Sequence, residues 1–125
     1  MNTKRPNILL IEDNPINIVV IKKILGAFYD VDTITSGKKV RMMLENSEYQ
    51  LILTDMNLGD DEMNGFDVMK QVKNNPKTAH LPIIVVTAYT LADDIERFKH
   101  QGFTDFIPKP VNKDLLLNIL SKYLG

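Results

Sequence analysis

The 125-residue sequence lacks cysteine, a marked excess of charge of either sign, and long hydrophobic runs. Without cysteine there are no disulfides and no thiolate metal ligands, which a reducing cytoplasm permits. The net charge of −1 provides no global field to recruit nucleic acid or an anionic membrane. No apolar run approaches the ~20 residues of a membrane span, and no signal peptide precedes the first predicted strand. The composition predicts a cytoplasmic protein with neither nucleic acid nor membrane as a partner.

Repeats, linkers and low-complexity segments are also missing. A length of 125 residues fits one domain, and 44% hydrophobic residues suffice for a core. We therefore expect a single domain over residues 1–125. Met1 at the start and the absence of a linker favour a freestanding protein over a piece of a larger one.

Five short β-rich segments alternate with five helical patterns. The predicted strands are Asn7–Glu12, Asp30–Ile34, Gln50–Thr54, Ile83–Thr87 and Asp105–Ile107. The first, third and fourth contain runs that are apolar on both faces, which is typical of central parallel strands covered by helices on each side. This alternation implies right-handed crossovers and a doubly wound α/β sheet.

Capping signals place the helices between the strands. Asn14 is predicted to cap the first helix, whose apolar stripe and border include Val19. Asn64 opens the third helix. Thr90, with Asp93 three residues later, resembles a capping box that starts the fourth.

Charged or hydroxylic residues lie at or just after the carboxyl ends of all five predicted strands, and the second strand, which is followed by Thr35-Ser36, has no charge there. In such sheets, ligands bind outside the carboxyl ends of the strands. The residues at the other four ends are Glu12, Asp13, Asp55, Thr87 and Lys109. Two unit charges ~4 Å apart repel by roughly 4 kcal/mol at an effective dielectric of about 20. Mg²⁺ removes this cost and suits two or three carboxylates plus a phosphate oxygen.

The remaining two residues suggest what the metal would assist. Lys109 adds a mobile cation and Thr87 a hydroxyl donor. With Mg²⁺ they would surround a phosphoryl group on an Asp55 oxygen and neutralise its charge during transfer. Phosphoryl transfer depends mainly on positioning and charge stabilisation, and aspartate is a known covalent phosphoryl acceptor.

These residues, in this order, resemble the receiver domain family of response regulators. The resemblance runs from Asn7 to Leu124, and the segment from Glu12 to Asn17 is similar to receivers attached to, or partnered with, hybrid histidine kinases. It implies a flavodoxin-like (βα)5 fold with strand order 2-1-3-4-5. It also implies a phosphoacceptor rather than an enzyme, phosphorylated by a histidine kinase or a histidine phosphotransfer protein and acting on an unidentified downstream protein.

The resemblance also implies a role for each site residue. Asp13 and Asp55, with the backbone carbonyl of Asn57, would hold Mg²⁺, and Glu12 would act directly or through water. Thr87 and Lys109 would bind the phosphoryl oxygens. The switch pair implied by the family is Thr87 with Phe106, and a cis bond is expected at Lys109-Pro110.

One segment departs from the family pattern. The loop between Asp55 and Gly65 looks two residues longer than usual and has Gly59 where a proline often sits. We interpret residues 60–62, which are all acidic, as a solvated loop rather than a second metal site. Tyr89 either lies over the pocket or packs at the surface.

Other functions remain open from the sequence. An aspartyl phosphatase similar to the haloacid dehalogenases would need Asp-x-Asp after the first strand, where this chain has Glu12-Asp13-Asn14. Nucleotide or flavin binding would need a Gly-rich turn to approach a phosphate. A degenerate receiver used only for binding is a further alternative.

Overall fold

The computed structural model describes residues 5–58, 63–88 and 90–125. The strands are β1 (Asn7–Ile11), β2 (Asp30–Ile34), β3 (Leu51–Asp55), β4 (Ile83–Thr87) and β5 (Asp105–Pro108). The α-helices are α1 (Pro15–Leu25), α2 (Val40–Asn46), α3 (Gly65–Asn74), α4 (Ala92–Gln101) and α5 (Lys113–Leu124), with a short 3-10 helix at Gly37–Lys39. The predicted alternation is confirmed, with strand ends shifted by one residue at β1, β3 and β5.

The five strands form one parallel sheet in the order β2-β1-β3-β4-β5. This is the flavodoxin-like order that the resemblance implied. Because β1 pairs with both β2 and β3, the strand order reverses there, and the carboxyl ends of β1 and β3 lie side by side. Open α/β sheets bind ligands at such a switch point.

Two apolar layers cover the sheet, one on each face. Leu9 and Ile52 belong to the layer that contains α3, whereas Ile8 and Leu53 belong to the layer that contains α1 and α5. All four side chains are fully buried. Each such burial stabilises the fold by about 1.5–3 kcal/mol. The central strands are therefore fixed from both sides, as their two-sided apolar pattern predicted.

The predicted N-terminal caps of α1 and α3 are present, whereas that of α4 is not. Asn14 Oδ1 accepts hydrogen bonds from two backbone N–H groups of the first turn of α1, and Asn64 forms a capping box with Asp67 at the start of α3. The capping box expected at Thr90 is wrong. The residue before α4 is Leu91, whose side chain accepts no hydrogen bond, so Thr90 lies one residue too early to cap.

Two further predictions fall on residues 59–62 and on Tyr89, which lie outside the described residues. The first is that residues 60–62 form a solvated acidic loop, and the second is that Tyr89 either lies over the pocket or packs at the surface. Within the described segments, none of the helices has the length and apolar character that crossing a bilayer requires.

Candidate functional site

Three carboxylates meet where β1 and β3 end. Glu12 directly follows β1, Asp13 comes next, and Asp55 is the last residue of β3. One oxygen from each of the three carboxylates can be chosen so that all lie within 4.8 Å of one another. Glu12 is only 1% exposed and Asp55 only 3%, whereas Asp13 is more accessible to solvent than either. The fold therefore concentrates negative charge in a site that is accessible from one side.

Lys109 brings positive charge to this site from the loop between β5 and α5. Its Nζ donates a hydrogen bond to Asp55 Oδ2 at 2.7 Å, with the lysine side chain 29% exposed. The Lys109 backbone N–H donates to the Thr87 carbonyl at 2.9 Å, which ties this loop to the end of β4. The peptide bond between Lys109 and Pro110 is cis, as the resemblance implied.

The other oxygen of Asp55 is held by the chain that follows it. The backbone N–H of Asn57 donates to Asp55 Oδ1 at 3.1 Å, so the main chain at Asn57 lies beside the carboxylates. The start of α3 also lies against the backbone of Asp55. A Cβ on Gly65 would be 2.6 Å from the Asp55 carbonyl oxygen, so only glycine permits α3 to begin against the backbone of Asp55.

Burial raises the pKa of Glu12 to about 7, from its ordinary value of 4.5. The N–H of Asn14, which donates to Glu12 Oε2 at 3.2 Å, opposes this rise, and the charge of nearby Asp55 adds to it. Lys109 lowers the pKa of Glu12 by a smaller effect. Near neutral pH, Glu12 is therefore partly protonated, and a cation in the site would displace that proton.

This proton leads to a pH dependence of metal affinity. A Mg²⁺ ion held by the three carboxylates would compete with the proton on Glu12, so Mg²⁺ affinity should rise about tenfold between about pH 6 and about pH 8 and then level off. Isothermal titration across this range measures the slope. Glu12→Gln carries no titrating proton and should flatten the profile. A wild-type affinity that does not change with pH would contradict the coupling.

Thr87 and Phe106 lie on the neighbouring strands. Thr87 ends β4 with a side chain that is 1% exposed, and its partner in the register of β5 is Pro108. Phe106 on β5 pairs with Val85, which lies two residues before Thr87 on β4. The Phe106 side chain is half-buried and packs against the core layer that contains α3. The predicted switch residues thus occupy adjacent strands next to the carboxylates.

An apolar patch beside the site was not predicted from the sequence. On α1, Ile16 is 72% exposed, Val19 65% and Val20 41%, although Val19 was assigned to the apolar stripe or its border. A cavity of about 210 Å³ next to this patch is lined by Asn17, Val20, Ile21, Lys109, Pro110 and Val111. The available signal was the high apolar content of α1, which exceeds what one buried face accommodates.

Residues 8–121 match the sequence profile of the response regulator receiver domain. The chain belongs to this family. The family resemblance stated from the sequence is thereby confirmed, and this chain is a receiver domain of two-component signalling. Membership favours a phosphoacceptor over the phosphatase and flavin-binding alternatives.

Solved and curated relatives agree with this assignment. The receiver domain of the sensor histidine kinase PA1611 from Pseudomonas aeruginosa, solved with a magnesium ion in its active site cleft, is 30% identical with a TM-score of 0.85. That match covers 97% of this chain and 98% of the other. The polar-differentiation response regulator DivK of Brucella ovis is 28% identical over 120 residues, which are 95% of this chain and 96% of that protein.

One curated relative is a much longer protein that matches this chain over only part of its length. A probable cyclic di-GMP phosphodiesterase of Vibrio cholerae is 32% identical over 117 residues, which are 94% of this chain. This chain spans only 26% of that protein's length. The phosphodiesterase name therefore describes a much longer protein.

Proposed function

We propose that this receiver domain accepts a phosphoryl group on Asp55 from a phosphohistidine of a histidine kinase or a histidine phosphotransfer protein. The observation that carries the proposal is the arrangement around Asp55. Its carboxylate belongs to the three-carboxylate cluster and, at 2.7 Å, receives the hydrogen bond of Lys109. This combination supplies a nucleophile, a set of oxygen ligands and a cation at one point.

The donor set fits Mg²⁺. Three carboxylates have oxygens within 4.8 Å of one another, and all are hard oxygen ligands of the kind that Mg²⁺ prefers. Asp13, Asp55 and the Asn57 carbonyl would hold the ion, with Glu12 acting directly or through water. A bound Mg²⁺ supplies charge neutralisation for the phosphoryl oxygens. The magnesium in the related PA1611 receiver supports this assignment.

The chain's own residues carry the transfer. An oxygen of Asp55 forms a new P–O bond to phosphorus, while the P–N bond to the donor histidine breaks. The electron pair of that bond goes to the leaving nitrogen, and the imidazole, protonated on its other nitrogen, departs neutral. The ammonium of Lys109 and the hydroxyl of Thr87 donate to the phosphoryl oxygens as negative charge accumulates on them.

The phosphoryl group then shifts a conformational equilibrium. A hydroxyl of Thr87 that turns toward the phosphoryl group would leave space next to β5, where Phe106 is only half-buried. Phosphorylation would favour the arrangement in which both side chains have moved, because only that arrangement contains the new hydrogen bond. A downstream protein, or a second phosphotransfer protein, would recognise the changed face.

The apolar patch on α1 provides a docking surface for the phosphodonor. Ile16, Val19 and Val20 lie beside a cavity that Lys109 also lines, so a protein seated there reaches Asp55. Burying exposed apolar side chains is what offsets the cost of association. We further propose that residues 1–125 form one domain in the cytoplasm, with no activity beyond assisting its own phosphorylation and dephosphorylation.

Intact-mass measurement after incubation with Mg²⁺ and a small acyl phosphate tests the proposal. We expect the mass of a single added phosphoryl group, because the site has one acceptor carboxylate, Asp55, which belongs to the carboxylate cluster and bonds to Lys109. A matched incubation with a chelator should yield no adduct. An absent adduct, or one whose yield does not depend on Mg²⁺, would contradict the proposed function.

A further inference from the structure

The central strand β3 carries a fully buried hydroxyl directly before Asp55. Thr54 is 0% exposed and pairs with Ile11 on β1 and with Val85 on β4, which are both fully buried apolar residues. A buried hydroxyl lowers stability unless it is hydrogen-bonded, and valine has nearly the same branched shape without one. Thr54 Oγ1 donates to the backbone carbonyl of Asp55 at 2.9 Å. The hydroxyl therefore bonds to the backbone of the residue that is proposed to accept the phosphoryl group.

This bond belongs to a set that fixes the two peptide planes after Asp55. The first plane contains the Asp55 carbonyl, to which Thr54 donates, and the Met56 N–H, which donates to a carbonyl of β4 at 3.1 Å. The second plane contains the Met56 carbonyl and the Asn57 N–H. The N–H of Gly65 donates to that carbonyl at 2.8 Å, and the Asn57 N–H donates to Asp55 Oδ1 at 3.1 Å. Because peptide units are planar, bonds at both edges fix the orientation of each one.

We propose that Thr54 is a positioning residue for the Asp55 carboxylate. Without the hydroxyl, the first peptide plane loses the bond on its oxygen and is free to rotate. The second plane follows it, so the Asn57 N–H would move relative to Asp55 Oδ1 and the carboxylate would lose a fixed orientation. A small misplacement of a reacting oxygen lowers the rate of a transfer strongly. This inference rests on the proposed function, because its effect is on the phosphorylation of Asp55.

The test measures the rate of phosphorylation by a small acyl phosphate at saturating Mg²⁺, followed by intact mass. Thr54→Val keeps the branched shape and removes the hydroxyl. It should lower the rate roughly tenfold, as the loss of a hydrogen bond that orients a functional group does. Thr54→Ser keeps the hydroxyl and lacks a buried methyl group. It should melt at a lower temperature than wild type and still react within about twofold of the wild-type rate.

Thr78→Val provides a matched control at the other end of α3. Thr78 is 7% exposed and its Oγ1 donates to the Val72 carbonyl at 2.8 Å, so this variant also removes a buried hydroxyl–carbonyl bond. Its phosphorylation rate should equal that of wild type. Hydrogen exchange adds a local readout, because the Asn57 amide should exchange faster in Thr54→Val than in wild type, Thr54→Ser or Thr78→Val. A role in stability alone would not single out this amide.

The outcomes separate this inference from the function on which it rests. A Thr54→Val rate within about twofold of wild type, or an equal loss of rate in Thr54→Ser, would overturn the role of the hydroxyl alone. Unchanged exchange of the Asn57 amide in Thr54→Val would do the same. If Thr54→Val does not fold, Thr54→Ser and Thr54→Ala decide, because both lack the methyl group and only serine keeps the hydroxyl. Equal rates in that pair would overturn the inference, whereas a wild-type protein that takes up no phosphoryl group would overturn the proposed function as well.

Discussion

Replacing Asp55 with asparagine is expected to abolish phosphoryl incorporation from a small acyl phosphate. The amide is nearly isosteric with the carboxylate, so the 3%-exposed site keeps its shape. It lacks the anionic oxygen that must bond to phosphorus. Asp114→Asn, an exposed change in the first turn of α5, should incorporate as much as wild type.

Asp55→Asn should also change the electrostatics of its neighbours. The charge of Asp55 helps to raise the pKa of Glu12, so that pKa should fall toward its ordinary value in the variant. NMR titration of the Glu12 side-chain carboxyl carbon measures this shift. An adduct of undiminished yield on Asp55→Asn would place the phosphoryl group elsewhere in the chain.

Lys109→Ala is expected to lower the phosphorylation rate by about 100-fold or more. Removing one donor that stabilises developing charge typically has an effect of this size. Mg²⁺ binding should persist and become tighter, because the variant removes a cation that now bonds to Asp55 at 2.7 Å. A large loss of phosphorylation rate without a loss of Mg²⁺ affinity would show that Lys109 acts on the phosphoryl group rather than on the ion.

A stopped-time mass assay gives the rate, and isothermal titration gives the Mg²⁺ affinity. Lys113→Ala, at the exposed start of α5, provides the control and should match wild type in both measurements. A Lys109→Ala rate within a few-fold of wild type would remove Lys109 from the transfer step. Loss of Mg²⁺ binding would instead assign it a structural role.

The sequence predicted the central strands because β1, β3 and β4 carry apolar residues on both faces. This pattern is typical of parallel strands that helices cover on both sides. The convergence of Glu12, Asp13 and Asp55 also followed from topology, since parallel strands end at one edge. The start of α4 was misplaced because Thr90 and Asp93 have capping chemistry, whereas the helix begins one residue after Leu91.

Other features required coordinates. The branched shape of Thr54 suits a strand whatever its hydroxyl does, and the sequence does not reveal that the hydroxyl donates to the Asp55 carbonyl. The exposure of Val19 was signalled only in part, because the apolar content of α1 exceeds what one buried face accommodates but does not show which of its residues stay exposed. Both concern the placement of individual side chains, which local patterns do not encode.

The central claim is that the phosphoryl group forms an acyl phosphate at Asp55. Reduction of the phosphorylated protein with borohydride converts an acyl phosphate of aspartate into homoserine, and peptide mass spectrometry then locates the altered residue. The arrangement of Asp55 with Lys109 predicts homoserine at position 55, and only after phosphorylation in the presence of Mg²⁺. Homoserine at another aspartate, or none in a protein that carries the phosphoryl mass, would contradict it.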